Sequence, residues 1–105
     1  MNIQSDQELI TSVRHGSRKA LEDIYVQNYP MVKDYILKNS GTEIDAKDIY
    51  QDGMLILHEK LSDPTFLLTA KISSFLFSIC KNLWLKHLRS IKKMPKSELN
   101  EDTDF

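Results

Sequence analysis

Residues 71–93 read KISSFLFSICKNLWLKHLRSIKK, and this stretch decides the fold class. At ~100° per residue, Ile72, Leu76, Phe77, Ile79, Cys80, Leu83, Trp84, Leu88 and Ile91 gather on one broad side of a helix. An apolar arc that wide packs between other helices rather than on a single neighbour. The opposite sector spans roughly 80° and holds Lys71, Phe75, Ser78, Asn82, Lys86, Arg89 and Lys93. An ordinary solvated face mixes acids with bases; this one carries no carboxylate.

Upstream, Ser62-Asp63-Pro64-Thr65 breaks the pattern, and residues 62–70 read as a loop, although Phe66, Leu67 and Leu68 make it unusually apolar. Before it, Ala46, Ile49, Tyr50, Met54, Leu57 and Leu61 form the core stripe of a helix over 46–61, with Asp45 placed to cap it. A second stripe on that helix, Asp48, Gln51, Asp52, Leu55 and Glu59, is acidic around a leucine. It fits a solvated face with one stray leucine, or a docking face with an apolar centre and an acidic rim. Further upstream, Ala20, Leu21, Ile24, Tyr25, Val32, Tyr35 and Ile36 recur at helical spacing within 18–39. Pro30 should kink or break that run, and Asn39-Ser40-Gly41 should stop it. Ser5 and Glu8 have capping-box spacing ahead of Leu9, Ile10 and Val13, which predicts a short helix over 6–15. Downstream, residues 94–105 open with Met94-Pro95 and close with four acids, as an acidic disordered end would. The reading is one all-α domain over 1–93, a compact bundle of about four helices, followed by a tail.

Composition agrees. The 105 residues contain 41% hydrophobic and 28% charged side chains, enough for one core, and only 3 Gly and 3 Pro, too few for a turn-rich β domain. The one cysteine, Cys80, excludes an internal disulfide framework and a multi-cysteine zinc site. No apolar run reaches membrane-spanning length and no signal peptide is evident, so a reduced, cytoplasmic setting without membrane insertion is expected. The net charge of −1 conceals segregation: residues 67–97 carry seven Lys/Arg and no acid. A basic segment with an exposed aromatic, a hydroxyl and an amide suits single-stranded DNA. Cations neutralise phosphates, an aromatic stacks on a base, and an amide both donates and accepts at a base edge. Spacing alone fits equally a Phe75 packed at the rim of the core and an Asn82 that meets only water.

Asp45-Ala-Lys-Asp-Ile-Tyr-Gln-Asp-Gly-Met-Leu55 resembles the D-A-E-D-I-V-Q-E-x-F-L motif of bacterial extracytoplasmic-function sigma factors. Ser74-Phe-Leu-Phe-Ser-Ile-Cys-Lys-Asn-Leu-Trp-Leu-Lys-His-Leu-Arg89 resembles their S-Y-L-Y-x-I-A-R-N-x-x-x-D-x-L-R motif. Asp6-Gln-Glu-Leu-Ile10, followed by Gly16-Ser-Arg-Lys-Ala-Leu21, is similar to their opening. Phe66-Leu-Leu-Thr69 and Asn82-Leu-Trp-Leu-Lys86 look most like members of the Bacteroidetes type. The three motifs stand in family order and cover residues 5–93, the span of region 2, a helical promoter-melting domain.

The resemblance implies roles by position. Asp48, Gln51 and Asp52, extended by Leu55 and Glu59, match the face that grips the beta-prime coiled coil of core RNA polymerase. Asn82 matches the asparagine of a pocket for a base flipped from the non-template strand of the −10 element, and Phe75 an aromatic position near the melted DNA; Ser78, which spacing puts on the same acid-free sector, joins them in the expected DNA site. Residues 62–71 match the loop that shapes that pocket, and Lys86, Arg89, Lys92 and Lys93 a basic end on the DNA backbone. An anti-sigma factor as off switch is also implied, as is a second domain, region 4, which residues 1–105 do not supply. Four positions depart from the pattern. Asp52 stands for a more usual Glu, Met54 for a frequent Phe and Lys86 for a frequent Asp, and Gly53 sits mid-helix at a cost of ~1 kcal/mol against Ala.

No catalytic constellation emerges. His15, His58 and His87 fall in different helices without metal-ligand spacing, Asp45, Asp48 and Asp52 lack a histidine or phosphate loop beside them, and Cys80 lies on an apolar side. No enzyme activity and no cofactor are expected. The alternative is a helical protein–protein interaction module with no DNA role, which accounts for the amphipathic helices but not for the acid-free sector. A duplex reader of the helix-turn-helix type lacks its separate recognition helix.

Overall fold

The computed structural model describes residues 5–92, with the side chain of Lys92 excluded. Four helices follow in order: α1 (Asp6–Arg14), α2 (Arg18–Lys38), α3 (Glu43–Ser62) and α4 (Ile72–Lys92). No strand occurs among the described residues, and the fold is all-α as the periodicity requires. The acidic end, 94–105, lies outside the described residues, as does Lys93.

Local chemistry sets each start. The Ser5 hydroxyl accepts from the Glu8 N–H at 3.2 Å, and the Glu8 carboxylate accepts from the Ser5 N–H at 3.0 Å, the capping box its spacing predicts. Ser17 caps α2 through the Ala20 N–H. α3 starts three residues before the expected position 46, because Thr42, not Asp45, is its cap. The Thr42 hydroxyl accepts from the Asp45 N–H at 3.1 Å and the Asp45 carboxylate answers at the Thr42 N–H at 2.9 Å. Asp45 is thus the third-residue partner of the box, and its charge still favours the N-terminal end of the helix dipole.

α2 runs unbroken through Pro30. The ring removes the N–H that would bond to the Val26 carbonyl. Pro30 and Val26 both lie on the exposed side of α2, where water can take up the freed carbonyl. The helix stops where expected: Ser40 adopts φ 76°, and the Gly41 N–H closes back on the Ile36 carbonyl at 2.9 Å. Gly41 is required for space. A Cβ there would run into Ile36 Cγ2 and sit 2.8 Å from the Trp84 ring.

α2, α3 and α4 pack on one another, and α1 lies across α2 and α3. Trp84, Tyr50, Ile24, Ile36, Leu57, Leu61, Leu76 and Val32 are essentially sealed from water. The two largest also bind the frame. The Trp84 indole donates to the Asn39 carbonyl at 2.9 Å, tying α4 to the end of α2, and the Tyr50 hydroxyl donates to the Tyr25 carbonyl at 2.8 Å. Gly53 is buried at the α3–α4 crossing, where a Cβ would come within 2.5 Å of Cys80 Sγ. The glycine that reads as a propensity cost is what lets the two helices approach. Of the expected apolar stripes, Leu21, Tyr25, Tyr35, Met54, Phe77, Leu83 and Leu88 are partly buried against the core, and Ile91 is 59% exposed.

Candidate nucleic-acid interface

A hollow of about 530 Å³ opens between the C-terminal half of α3, the following loop and α4. Its floor is apolar, from Ile56, Ile79 and Leu83, and its rim carries Lys60, Ser74, Ser78, Asn82 and Lys86. The volume lies within the ~300–1,000 Å³ usual for small-molecule sites, so a single nucleobase fits.

The loop forms one wall. Asp63-Pro64-Thr65-Phe66 is a β-turn closed by the Phe66 N–H on the Asp63 carbonyl at 3.0 Å, with Pro in its favoured second place. The Asp63 carboxylate accepts from the Thr65 N–H at 2.9 Å and from its hydroxyl at 2.7 Å. The Thr65 backbone bond, then its hydroxyl, hold the Asp63 carboxyl below its ordinary pKa, with lesser help from Lys60 and Arg14. This turn delivers the Phe66 ring to 5.5 Å from Phe75, tilted by 31°, and the Lys60 ammonium stands 5.9 Å over it.

The loop is also held at both ends by α1. Arg14 donates from Nε to the Leu61 carbonyl at 2.9 Å and from Nη2 to the Phe66 carbonyl at 2.9 Å, with the Asp63 carbonyl at 3.5 Å. The Asp6 carboxylate accepts from the Ile72 N–H at 2.8 Å, at the first turn of α4.

Of the residues assigned to DNA from the sequence, Phe75, Ser78, Asn82 and Lys86 line this one hollow. Asn82 is half-buried, and its amide makes no side-chain hydrogen bond among the described residues. Arg89 lies one turn beyond Lys86 and is half-buried. The described ion pairs, Lys19–Asp23, Lys33–Glu43 and Lys38–Asp34, leave Lys86 and Arg89 uncompensated by an acid. Lys93 and the side chain of Lys92 lie outside the described residues. Sequence reasoning missed Ile56 and Lys60, which reach the hollow from α3. Their spacing of four puts them on one face just ahead of the loop, the only signal available.

The other assigned stripe lies on a different side of α3. Asp48, Gln51, Asp52, Leu55 and Glu59 are all exposed, Leu55 by 66%. Gln51 and Leu55 border a shallower groove of about 380 Å³, completed by Leu21 and Tyr25 of α2 with Met54 and His58. Asp48, Asp52 and Glu59 take part in none of the described ion pairs.

Nothing in the described residues gathers for bond chemistry. No group of three or more His, Cys, Asp or Glu is placed to hold a metal. The His15 ring nitrogen meets the Thr11 carbonyl at 3.0 Å, and His87 stacks on Trp84 at 5.3 Å. Cys80 is buried, and burial pushes its thiol up to about 12, far from a reactive thiolate. No helix among the described residues is long and apolar enough to cross a membrane.

Residues 24–94 match the family model described as Sigma-70 region 2. An ECF RNA polymerase sigma factor SigM of Mycobacterium tuberculosis, strain H37Rv, is 31% identical over 98 residues, which is 93% of this chain and 49% of that protein. The SigM of strain Erdman is 30% identical over the same coverage. The chain therefore spans about half the length of the curated relatives it matches. No solved structure matches it.

Proposed function

Since the chain belongs to the Sigma-70 region 2 family, whose members serve transcription initiation and are not enzymes, we propose that it docks on core RNA polymerase and recognises and melts the promoter −10 element by capturing a flipped non-template base. The observation that carries this reading is the hollow, where an Asn82 amide without a partner among the described residues, a Phe66–Phe75 pair and two lysines surround an apolar floor.

Melting breaks no covalent bond. It requires a site that holds an unstacked base against an unstacking cost of a few kcal/mol. Stacking on an aromatic returns ~1–3 kcal/mol, and a hydrogen bond from Asn82 adds about 1 kcal/mol. The two sides nearly balance, so the domain alone binds single strand weakly, and docking on polymerase supplies the pose. Lys60, Lys86 and Arg89 contribute sequence-independent attraction to phosphates. Asp48, Gln51, Asp52 and Glu59 form the rim, and Leu55 the anchor, of the surface for the beta-prime coiled coil. An anti-sigma factor covering either face would switch the domain off.

Two variants separate the roles in a reconstituted holoenzyme. Asn82→Ala flattens the preference among −10 sequences by roughly 5–10-fold with the salt slope unchanged. Arg89→Ala weakens all sequences alike and lowers the salt slope by about 1. Unaltered base preference in Asn82→Ala removes the pocket assignment even where polymerase binding persists.

A further inference from the structure

The two charged contacts from α1 bracket the loop that walls the hollow, and we propose that α1 thereby sets base preference, with Arg14 and Asp6 as positioning residues that act through residues 63–71 and not on DNA. The inference rests on the base-pocket reading above. Each contact has the sign its helix end requires. Arg14 holds the Leu61 carbonyl, one of those left over at the end of α3, and Asp6 holds the first N–H of α4. Positions 6 and 14 are separated by about 12 Å of rigid helix, at 1.5 Å per residue. α1 is therefore a spacer of fixed length between the two ends of the loop.

The same guanidinium reaches the Phe66 carbonyl at 2.9 Å. Phe66 carries the ring that faces Phe75 and lies under Lys60. A shift of its backbone moves the wall of the hollow relative to Asn82, which sits on α4 and is not held by Arg14. The hydrogen bonds need a planar fork with several donors at fixed angles. A lysine at 14 keeps the charge but cannot span carbonyls of Leu61 and Phe66 together. That difference separates a brace from a phosphate contact, for which lysine would serve.

The test uses the 105-residue chain as wild type, Arg14→Lys, Asp6→Ala and Asn82→Ala. Amide hydrogen exchange is read over 63–72 on the free chain, and anisotropy follows labelled −10 single strands that differ at one base on holoenzyme reconstituted with core polymerase, at two salt concentrations. Arg14→Lys and Asp6→Ala are each expected to speed loop exchange by about tenfold. The amides around Trp84 and Tyr50 stay protected, base preference falls several-fold, and the salt slope does not change. Faster loop exchange with wild-type base preference overturns the inference, and so does wild-type exchange. A salt slope lowered by about 1 in a further variant, Arg14→Ala, also overturns it, by making Arg14 a DNA contact. If Asn82→Ala flattens preference while both α1 variants leave it intact, the pocket reading stands and the inference falls. If wild type itself binds all strands alike, the pocket reading falls and takes the inference with it.

Discussion

Gly53→Ala sets two effects of opposite sign against each other at the crossing that shapes the hollow. In the middle of α3, alanine is favoured over glycine by ~0.8–1.0 kcal/mol. Against this, a Cβ at position 53 would lie 2.5 Å from Cys80 Sγ, while Leu76 Cδ1 at 3.7 Å and Ile79 Cγ2 at 3.8 Å are ordinary contacts. A comfortable separation is roughly 3.5–4.0 Å, so the sulfur or one whole helix must move by about 1 Å or more. Cys80 is 1% exposed, so its sulfur cannot simply swing out into water. Overpacking of this kind costs ~1–3 kcal/mol, which at least cancels the propensity gain and leaves a net loss of about 0–2 kcal/mol.

Urea unfolding followed by the fluorescence of Trp84, the single tryptophan and a fully buried one, reads the difference directly. The double variant with Cys80→Ala supplies the control. With the sulfur gone, only the two ordinary contacts remain, so Gly53→Ala in that background should stabilise by up to ~1 kcal/mol. The coupling between the sites should then be ~1–3 kcal/mol. A Gly53→Ala single variant more stable than wild type, or a coupling near zero, would refute the reasoning, since α3 and α4 would not then approach as closely as described. Ile56 and Lys60 of α3 line the hollow together with Ile79 and Asn82 of α4, so a destabilised crossing also distorts it.

Leu55→Asp should reduce binding to core RNA polymerase by more than tenfold, as loss of a central anchor does, while the midpoint of urea unfolding barely moves because Leu55 is exposed in the free chain; undiminished capture by polymerase removes the docking assignment. Stability should also fall in alkali. Burial raises the Cys80 thiol from an ordinary 9.0 to about 12, and burial, with smaller effects of Cys80 and Tyr25, raises the Tyr50 hydroxyl above its ordinary 10.0. The folded chain therefore keeps protons that the unfolded chain gives up, so this contribution is complete below pH 9 and is lost as pH rises through 9–12. Urea midpoints that stay level from pH 8 to 11, or rapid alkylation of Cys80 at pH 8 in the folded protein, would contradict that burial.

The helices themselves were legible because each carries its own period and its own punctuation. Ser5 and Glu8 announce α1, and the apolar arc of 72–88 announces α4 before any partner is known. The errors arose where two residues competed for one role or where a rule depends on the surroundings. Thr42 and Asp45 both make good caps, and only the backbone shows that the threonine is the cap and the aspartate its partner. Pro30 breaks a helix where the freed carbonyl is buried, yet it lies on the exposed side of α2. Gly53 reads as a weakness in one helix and becomes a requirement once a second helix crosses it.

The hollow divides along the same line. Phe75, Ser78, Asn82 and Lys86 share one face of one helix, so periodicity alone gathers them. Lys60 and Phe66 join them only through the crossing of α3 on α4 and the turn at Asp63, neither of which has a period. Arg14 was hidden more deeply still. Its partners lie 47 to 52 residues away, and they are backbone carbonyls at Leu61, Asp63 and Phe66. An ion pair between side chains leaves two complementary residue types in a sequence. A side chain bound to backbone leaves only one, because every residue offers a carbonyl. The brace on the loop is thus the part of the site that residue types could not announce.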